Sequence, residues 1–202
     1  MSELTGFHEQ LAPEHIDALT GLANRAWLNE HLPLIISENS GSCGLLFVDL
    51  DGLKLENDKN GHDAGDEMIK RTASALEHGL RHTTEERPSD IVTHGRPVRL
   101  GGDEFVAILL GVSSDSDVQT VKERVQEQLT KKGILSSIGG ALHDAITDET
   151  SSQLLKRADN SMYKEKVAHQ KERFTALPKR KRIAARVGHR MVRYAGINPP
   201  RQ

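Results

Sequence analysis

The sequence predicts an α/β fold, a central mixed β-sheet flanked by helices, and three observations predict it. Segments of helical and of strand period alternate along most of the chain. A short apolar run at 43–48 reads as a buried strand and ends in Asp49-Leu50-Asp51. At 97–111 two apolar segments flank Gly101-Gly102-Asp103-Glu104, the pattern of a β-hairpin. Helices interleaved with strands and a hairpin in this order give a sheet of mixed direction.

In order, residues 13–37 read as a helix with a turn near Thr20-Gly21, followed by a Ser/Gly linker at 38–42. A strand over 43–49 comes next, then a loop to Gly61. A helix over about 63–81 follows, with Met68, Ala73 and Leu76 on its apolar face. Residues 82–96 are polar, include Pro88 and Gly95, and read as a loop. The hairpin 97–111, a helix near 117–132, a strand at 134–142 and a helix at 150–168 complete the fold. Beyond Ala176-Leu-Pro178, the residues Ile183, Val187 and Met191 recur at four-residue spacing among Lys179-Arg-Lys-Arg182, Arg186, Arg190 and Arg193. That spacing predicts a short basic amphipathic helix, ended by Pro199-Pro200. The organisation is a lead at 1–13, one domain over 14–170 and a basic tail at 171–202.

Composition narrows the function classes. At 202 residues and 36% hydrophobic content, the chain suits one globular domain with some excess. No apolar stretch approaches the roughly 20 residues of a membrane span. The first 13 residues are polar and lack the apolar stretch of a signal peptide. A single cysteine, Cys43, excludes an internal disulfide framework, so a cytoplasmic location is expected. The net charge of −2 conceals an asymmetry: residues 171–202 hold ten Lys/Arg and one acid, while residues 1–170 hold 17 basic and 28 acidic side chains.

The two acidic strand ends carry the chemistry. Asp103 and Glu104 are expected at the start of the return strand of the hairpin. Gly101-Gly102 suits a tight turn needing positive φ, and glycines let a flat ligand lie against the backbone. Asp49 and Asp51 fall on one face of their strand. Acids from two neighbouring strand ends make a candidate Mg²⁺ site for a nucleotide triphosphate, since Mg²⁺ takes one or two protein carboxylates and completes its octahedron with water and phosphate.

Gly101-Gly102-Asp103-Glu104-Phe105 resembles the signature of GGDEF domains, the diguanylate cyclases of bacterial signalling. Asp17-Ala-Leu-Thr-Gly-Leu-Ala-Asn-Arg25 resembles the family's opening motif. Asp49-Leu-Asp-Gly-Leu-Lys54, Asn57-Asp58, Gly61-His62 and Gly65-Asp66 follow its metal-and-guanine motif without a gap. Ser137-Ile-Gly139 and Ala158-Asp159, Met162-Tyr163 and Lys166 resemble its last strand and helix. The resemblance covers about residues 14–170 and implies a nucleotidyl-cyclase, polymerase-palm-like domain whose hairpin carries the signature.

By that resemblance, two GTP molecules are joined into cyclic di-GMP with release of pyrophosphate, each 3′-hydroxyl attacking the other's α-phosphate. Asp49, the Leu50 carbonyl, Asp103 and Glu104 are then the ligands of Mg²⁺ (or Mn²⁺), and Asp103 also activates the 3′-hydroxyl. Gly52, Leu53 and Lys54 cradle the phosphates, Lys166 is a second phosphate lysine, and Gly101 and Gly102 lie against the nucleotide. Asn57, His62 and Asp66 match the guanine side. An ionised carboxylate accepts both N–H donors of guanine's Watson–Crick edge in parallel, which adenine does not offer, so Asp66 favours GTP over ATP. Where relatives often carry glycine and arginine after Lys166, this chain has His169 and Gln170.

Many relatives carry an inhibitory Arg-x-x-Asp five residues before Gly-Gly. Here those positions are Val92 and Gly95, and Arg87-Pro-Ser-Asp90 stands ten residues before Gly101. Either about five extra residues loop out and leave Arg87 and Asp90 as an inhibitory site, or the site is displaced. One GTP per domain implies a homodimer, formed by self-association, by a regulatory partner or through the tail. The tail has three readings: a solvated extension, a binder of anionic membrane or nucleic acid, or an aid to dimerisation. The leading function is an active diguanylate cyclase; the alternative is a non-catalytic GTP- or cyclic di-GMP-binding module that regulates a partner.

Overall fold

The computed structural model describes residues 11–80 and 94–176. A 3-10 turn at Pro13–His15 precedes β1 (Ala23–Asn24), α1 (Arg25–Glu38), β2 (Cys43–Leu50), α2 (Leu53–Asn60) and α3 (His62–Leu80). Then come β3 (His94–Gly101), β4 (Glu104–Leu110), α4 (Asp115–Lys131), β5 (Ser136–Leu142) and α5 (Ser151–Ala176). The five strands lie in the order β1-β3-β4-β2-β5. β1 runs parallel to β3, and every other neighbouring pair is antiparallel, giving the mixed sheet that the sequence predicts.

β2 is the central element, and all eight of its residues are buried. Alternate side chains on a strand point to opposite faces. Leu45 and Phe47 therefore pack with Trp27 and Leu28 of α1 and Leu154 and Met162 of α5. Leu46 and Val48 pack with Ile69 and Leu76 of α3 and Val121 and Val125 of α4. A strand covered on both faces reads as a continuous apolar run, which is why it is legible in sequence. Cys43 is fully buried at its start, and burial pushes the thiol up to about 12, so it is inert.

The approach of α5 to the sheet is set at Gly139. A Cβ there would stand 1.9 Å from the Met162 amide nitrogen and 2.3 Å from the Ala158 carbonyl oxygen. The helix backbone thus rides directly on β5. One turn beyond Met162, that contact carries Lys166 over the end of β2.

Several expectations need correction. The helix expected over 13–37 begins only at Arg25. Before it, the Asp17 carboxylate accepts from Thr20 N and Oγ1 while its own N–H donates to the Leu22 carbonyl. Such local side-chain bonds compete with a helix and leave the 3-10 turn and the short β1 instead. The loop expected up to Gly61 is largely α2, started by Gly52 at φ 92°; only Leu53 of its residues is buried, so no apolar period announces it. The last helix runs past 168 to Ala176.

β3 already begins at His94, inside the loop expected over 82–96. The remaining bounds of α3, α4 and β5 fall within two residues of expectation. Arg87, Asp90 and the Ile183/Val187/Met191 stripe lie outside the described residues. Among the described residues no helix is long and apolar enough to cross a membrane.

Candidate active site

The end of β2 holds two nearly buried acids, each met by a side chain of α5. Asp49, 5% exposed, accepts from Lys166 Nζ at 2.5 Å. Asp51, just past the strand, accepts from Ser137 Oγ at 3.3 Å and faces His169 Nδ1 at 3.5 Å. Lys166 and His169 are three residues apart and so share a helix face. Burial pushes the Asp49 carboxyl up to about 6; the Asp103 and Asp51 charges push the same way, and the Lys166 ammonium opposes them.

Asp103 arrives from the hairpin. Glu104 pairs with Asp49 across β4–β2, and the Asp103 carbonyl accepts from Leu50 N at 3.0 Å. The turn differs from expectation by one residue. Gly101 pairs with Glu104 after a bulge at Leu100, so Gly102 and Asp103, rather than the two glycines, are its central pair. The extra residue on the incoming strand shifts the register and lifts Asp103 off the return strand into the turn. Gly102 takes φ 56°, and a Cβ at Gly101 or Gly102 would meet nothing within 4 Å, which leaves that face open to a ligand.

The N-terminal motif braces this hairpin. Arg99 Nη1 donates to both Asp17 carboxylate oxygens at 3.1 Å, and Nη2 donates to the Gly102 carbonyl at 3.0 Å. Burial raises the Asp17 carboxyl, but the Thr20 and Arg99 hydrogen bonds outweigh it and leave it lowered. Arg25 Nε donates to the Leu100 carbonyl at 3.1 Å, with Nη2 3.7 Å from Glu104 Oε2. None of Asp17, Arg25 and Arg99 is among the expected site residues. Their signal was the opening motif, which holds Asp17 and Arg25, and the position of Arg99 two residues before the glycines.

α2 leads from the acids to a corner at Gly61, about 12 Å along eight residues at 1.5 Å each. Gly52, Leu53 and Lys54 stand at its start, where backbone N–H groups lack intrahelical acceptors. Asn57 lies near its end, and His62 and Asp66 lie exposed on the first turns of α3. The amide of Asn57 rests on Gly65, where a Cβ would come within 1.8 Å of its Oδ1. That Oδ1 is buried without a hydrogen-bond partner among the described residues. An orphaned buried acceptor costs about 1–3 kcal/mol and invites a donor.

The structure thus gathers Asp49, Leu50, Gly52, Leu53, Lys54, Gly101, Gly102, Asp103, Glu104 and Lys166 at one end of the sheet. Asn57, His62 and Asp66 lie one short helix away. Among the described residues no three His, Cys, Asp or Glu converge enough to hold a metal unaided. Asp49 and Asp103 are two carboxylates of the kind that Mg²⁺ would take beside phosphate. The buried Asp49, its carboxyl raised even beside Lys166, is a charge that a dication would compensate.

With this geometry, the chain belongs to the family described as diguanylate cyclase, GGDEF domain, which it matches over residues 14–172. It is 32% identical over 180 residues to the diguanylate cyclase DgcP of Escherichia coli, covering 83% of this chain and 49% of that protein. It resembles the crystal structure of the diguanylate cyclase SiaD of Pseudomonas aeruginosa in complex with its activator SiaC, with TM-score 0.64, 30% identity, and 76% of this chain and 58% of that one covered. The GGDEF domain of DgcB from Caulobacter crescentus, in complex with c-di-GMP, matches with TM-score 0.65 and 26% identity over 80% of this chain and 94% of that one. The chain spans about half the length of DgcP.

Proposed function

We propose that this domain condenses two GTP molecules into cyclic di-GMP, two copies facing each other with one GTP apiece. The observation that carries the reading is the buried, charge-crowded Asp49 beside Asp103, under an open glycine turn. In each half-reaction the 3′-oxygen of one GTP bonds to the α-phosphorus of the other, and the bond to pyrophosphate breaks. Asp103 takes the hydroxyl proton. Asp49, Asp103 and the Leu50 carbonyl would hold Mg²⁺ or Mn²⁺, with Glu104 as a further ligand once the ion draws it in, and the ion would neutralise phosphate charge and lower the pKa of the attacking hydroxyl.

Lys54 and the free N–H groups at the start of α2 bind phosphate oxygens. Lys166, paired with Asp49 in the free protein, joins them when substrate arrives. Asp66 and Asn57 read guanine, with His62 beside them. Arg99 and Arg25 keep the hairpin in register while nucleotide lies on Gly101 and Gly102. A regulatory partner is part of the proposal, since SiaD is described with an activator. The cytoplasm, where GTP is available, is the compartment that this chemistry implies.

The alternative, a GTP- or cyclic di-GMP-binding module without turnover, draws on the Lys166–Asp49 pair that fills the acid site. Purified protein with GTP and Mg²⁺, followed by chromatography over a range of protein concentrations, separates the two. Cyclic di-GMP formed at a rate rising faster than linearly in protein supports the dimeric cyclase. GTP binding with no product, indistinguishable from Asp103→Asn, supports the module.

A further inference from the structure

Beside the acid pair, on the outer side of Asp51, lies a cavity of about 700 Å³ between α4 and α5. Its walls combine an exposed apolar residue, Leu135 at 61% exposure, with the aliphatic stems of long side chains. Its charge is unbalanced. Asp51, Glu123, Glu127, Glu165 and Glu172 line it against two ammonium groups, Lys122 and Lys131, a surplus of three negative charges. The two lysines are already paired, Lys122 with Glu165 and Lys131 with Glu127. The groove is therefore suited to a cationic occupant with an apolar stripe.

In the sequence, such a segment directly follows α5. Residues 177–202 hold eight Lys/Arg and no acid, with Ile183, Val187 and Met191 at four-residue spacing. α5 is described to Ala176, one turn past Glu172 on the groove rim. Lys179 is three positions beyond Ala176, a reach of about 10 Å. Pro178 lies in that step, and a proline disfavours helical continuation through the residue before it.

We propose that the groove between α4 and α5 docks the chain's own basic segment Lys179–Arg193. Leu135 and the aliphatic walls receive the apolar stripe, and the rim carboxylates receive the Lys/Arg side chains. The proposal is independent of GTP turnover.

Zero-length carbodiimide cross-linking of the full chain, mapped by mass spectrometry, tests it. Expected are amide bonds from Lys179 or Lys181 to Glu123, Glu127, Glu165 or Glu172, lost at about 1 M salt, where the screening length falls to about 3 Å. A Glu123→Lys/Glu127→Lys variant, checked for an unchanged melting transition, should lower their yield about five-fold, equivalent to about 1 kcal/mol at 1.4 kcal/mol per tenfold. Adding Lys179→Glu/Lys181→Glu should restore cross-links with the charges swapped, which a merely misfolded groove does not do. Links directed chiefly to carboxylates outside the groove, or a yield indifferent to both variants, overturn the proposal. Links found only between differently labelled copies, or only after anionic vesicles or nucleic acid are removed, overturn intrachain docking as the resting state.

Discussion

Replacing Asp49 by Asn should make the metal-free protein more stable, and increasingly so as pH rises. Asp49 has a carboxyl pushed from 3.8 up to about 6, chiefly by burial. A group whose folded pKa is raised adds its full stability below the unfolded value and loses it as pH climbs through the folded one. At about 1.4 kcal/mol per unit, the ionised carboxylate costs about 3 kcal/mol by pH 8, and most of that cost is gone near pH 4. Asn stays neutral, and its carbonyl can still accept from Lys166. The variant should therefore gain about 1–3 kcal/mol at pH 8 and converge with the parent near pH 4. Urea unfolding of both proteins in chelator at several pH values reads this directly. A gain that is flat with pH, or a loss at pH 8, would refute the burial argument. On the proposed metal role of Asp49, the ranking should reverse with Mg²⁺ and nucleotide present, because only the parent would keep the ligand charge.

Three further outcomes follow from the geometry. Arg99→Ala removes a partly buried ion pair, in which Nη1 bridges both Asp17 oxygens, and the tether on Gly102, so it should cost about 1–3 kcal/mol in urea unfolding and lower kcat more than KM for GTP. Gly65→Ala should leave unfolding unchanged or gain up to about 1 kcal/mol of helix propensity, yet weaken GTP binding about ten-fold in calorimetry, because its Cβ displaces the amide end of the Asn57 side chain. Gly139→Ala should cost more than about 3 kcal/mol in the same melts, since its Cβ strikes the backbone of α5 at Met162 and Ala158, which cannot rotate away.

The chain itself carried the central strand, the hairpin, the helices over the sheet and the acids at the strand ends. Each is a local signal: a run of apolar residues from 43 to 48, glycines beside acids, a 3.6-residue period. Sequence did not carry α2, because its polar residues show no apolar period, nor the one-residue shift of the turn, which depends on a bulge opposite β4. It placed Lys166 on a helix but not upon Asp49, and it placed Asp17 and Arg99 82 residues apart without joining them. His169 shows the same limit, since its meeting with Asp51 requires α5 to cross the sheet over Gly139. Sequence fixes which residues have the chemistry, because type and spacing are local. The tertiary fold alone decides which of them meet, because burial, the Asp49 shift and the clamp on the hairpin arise between elements distant along the chain.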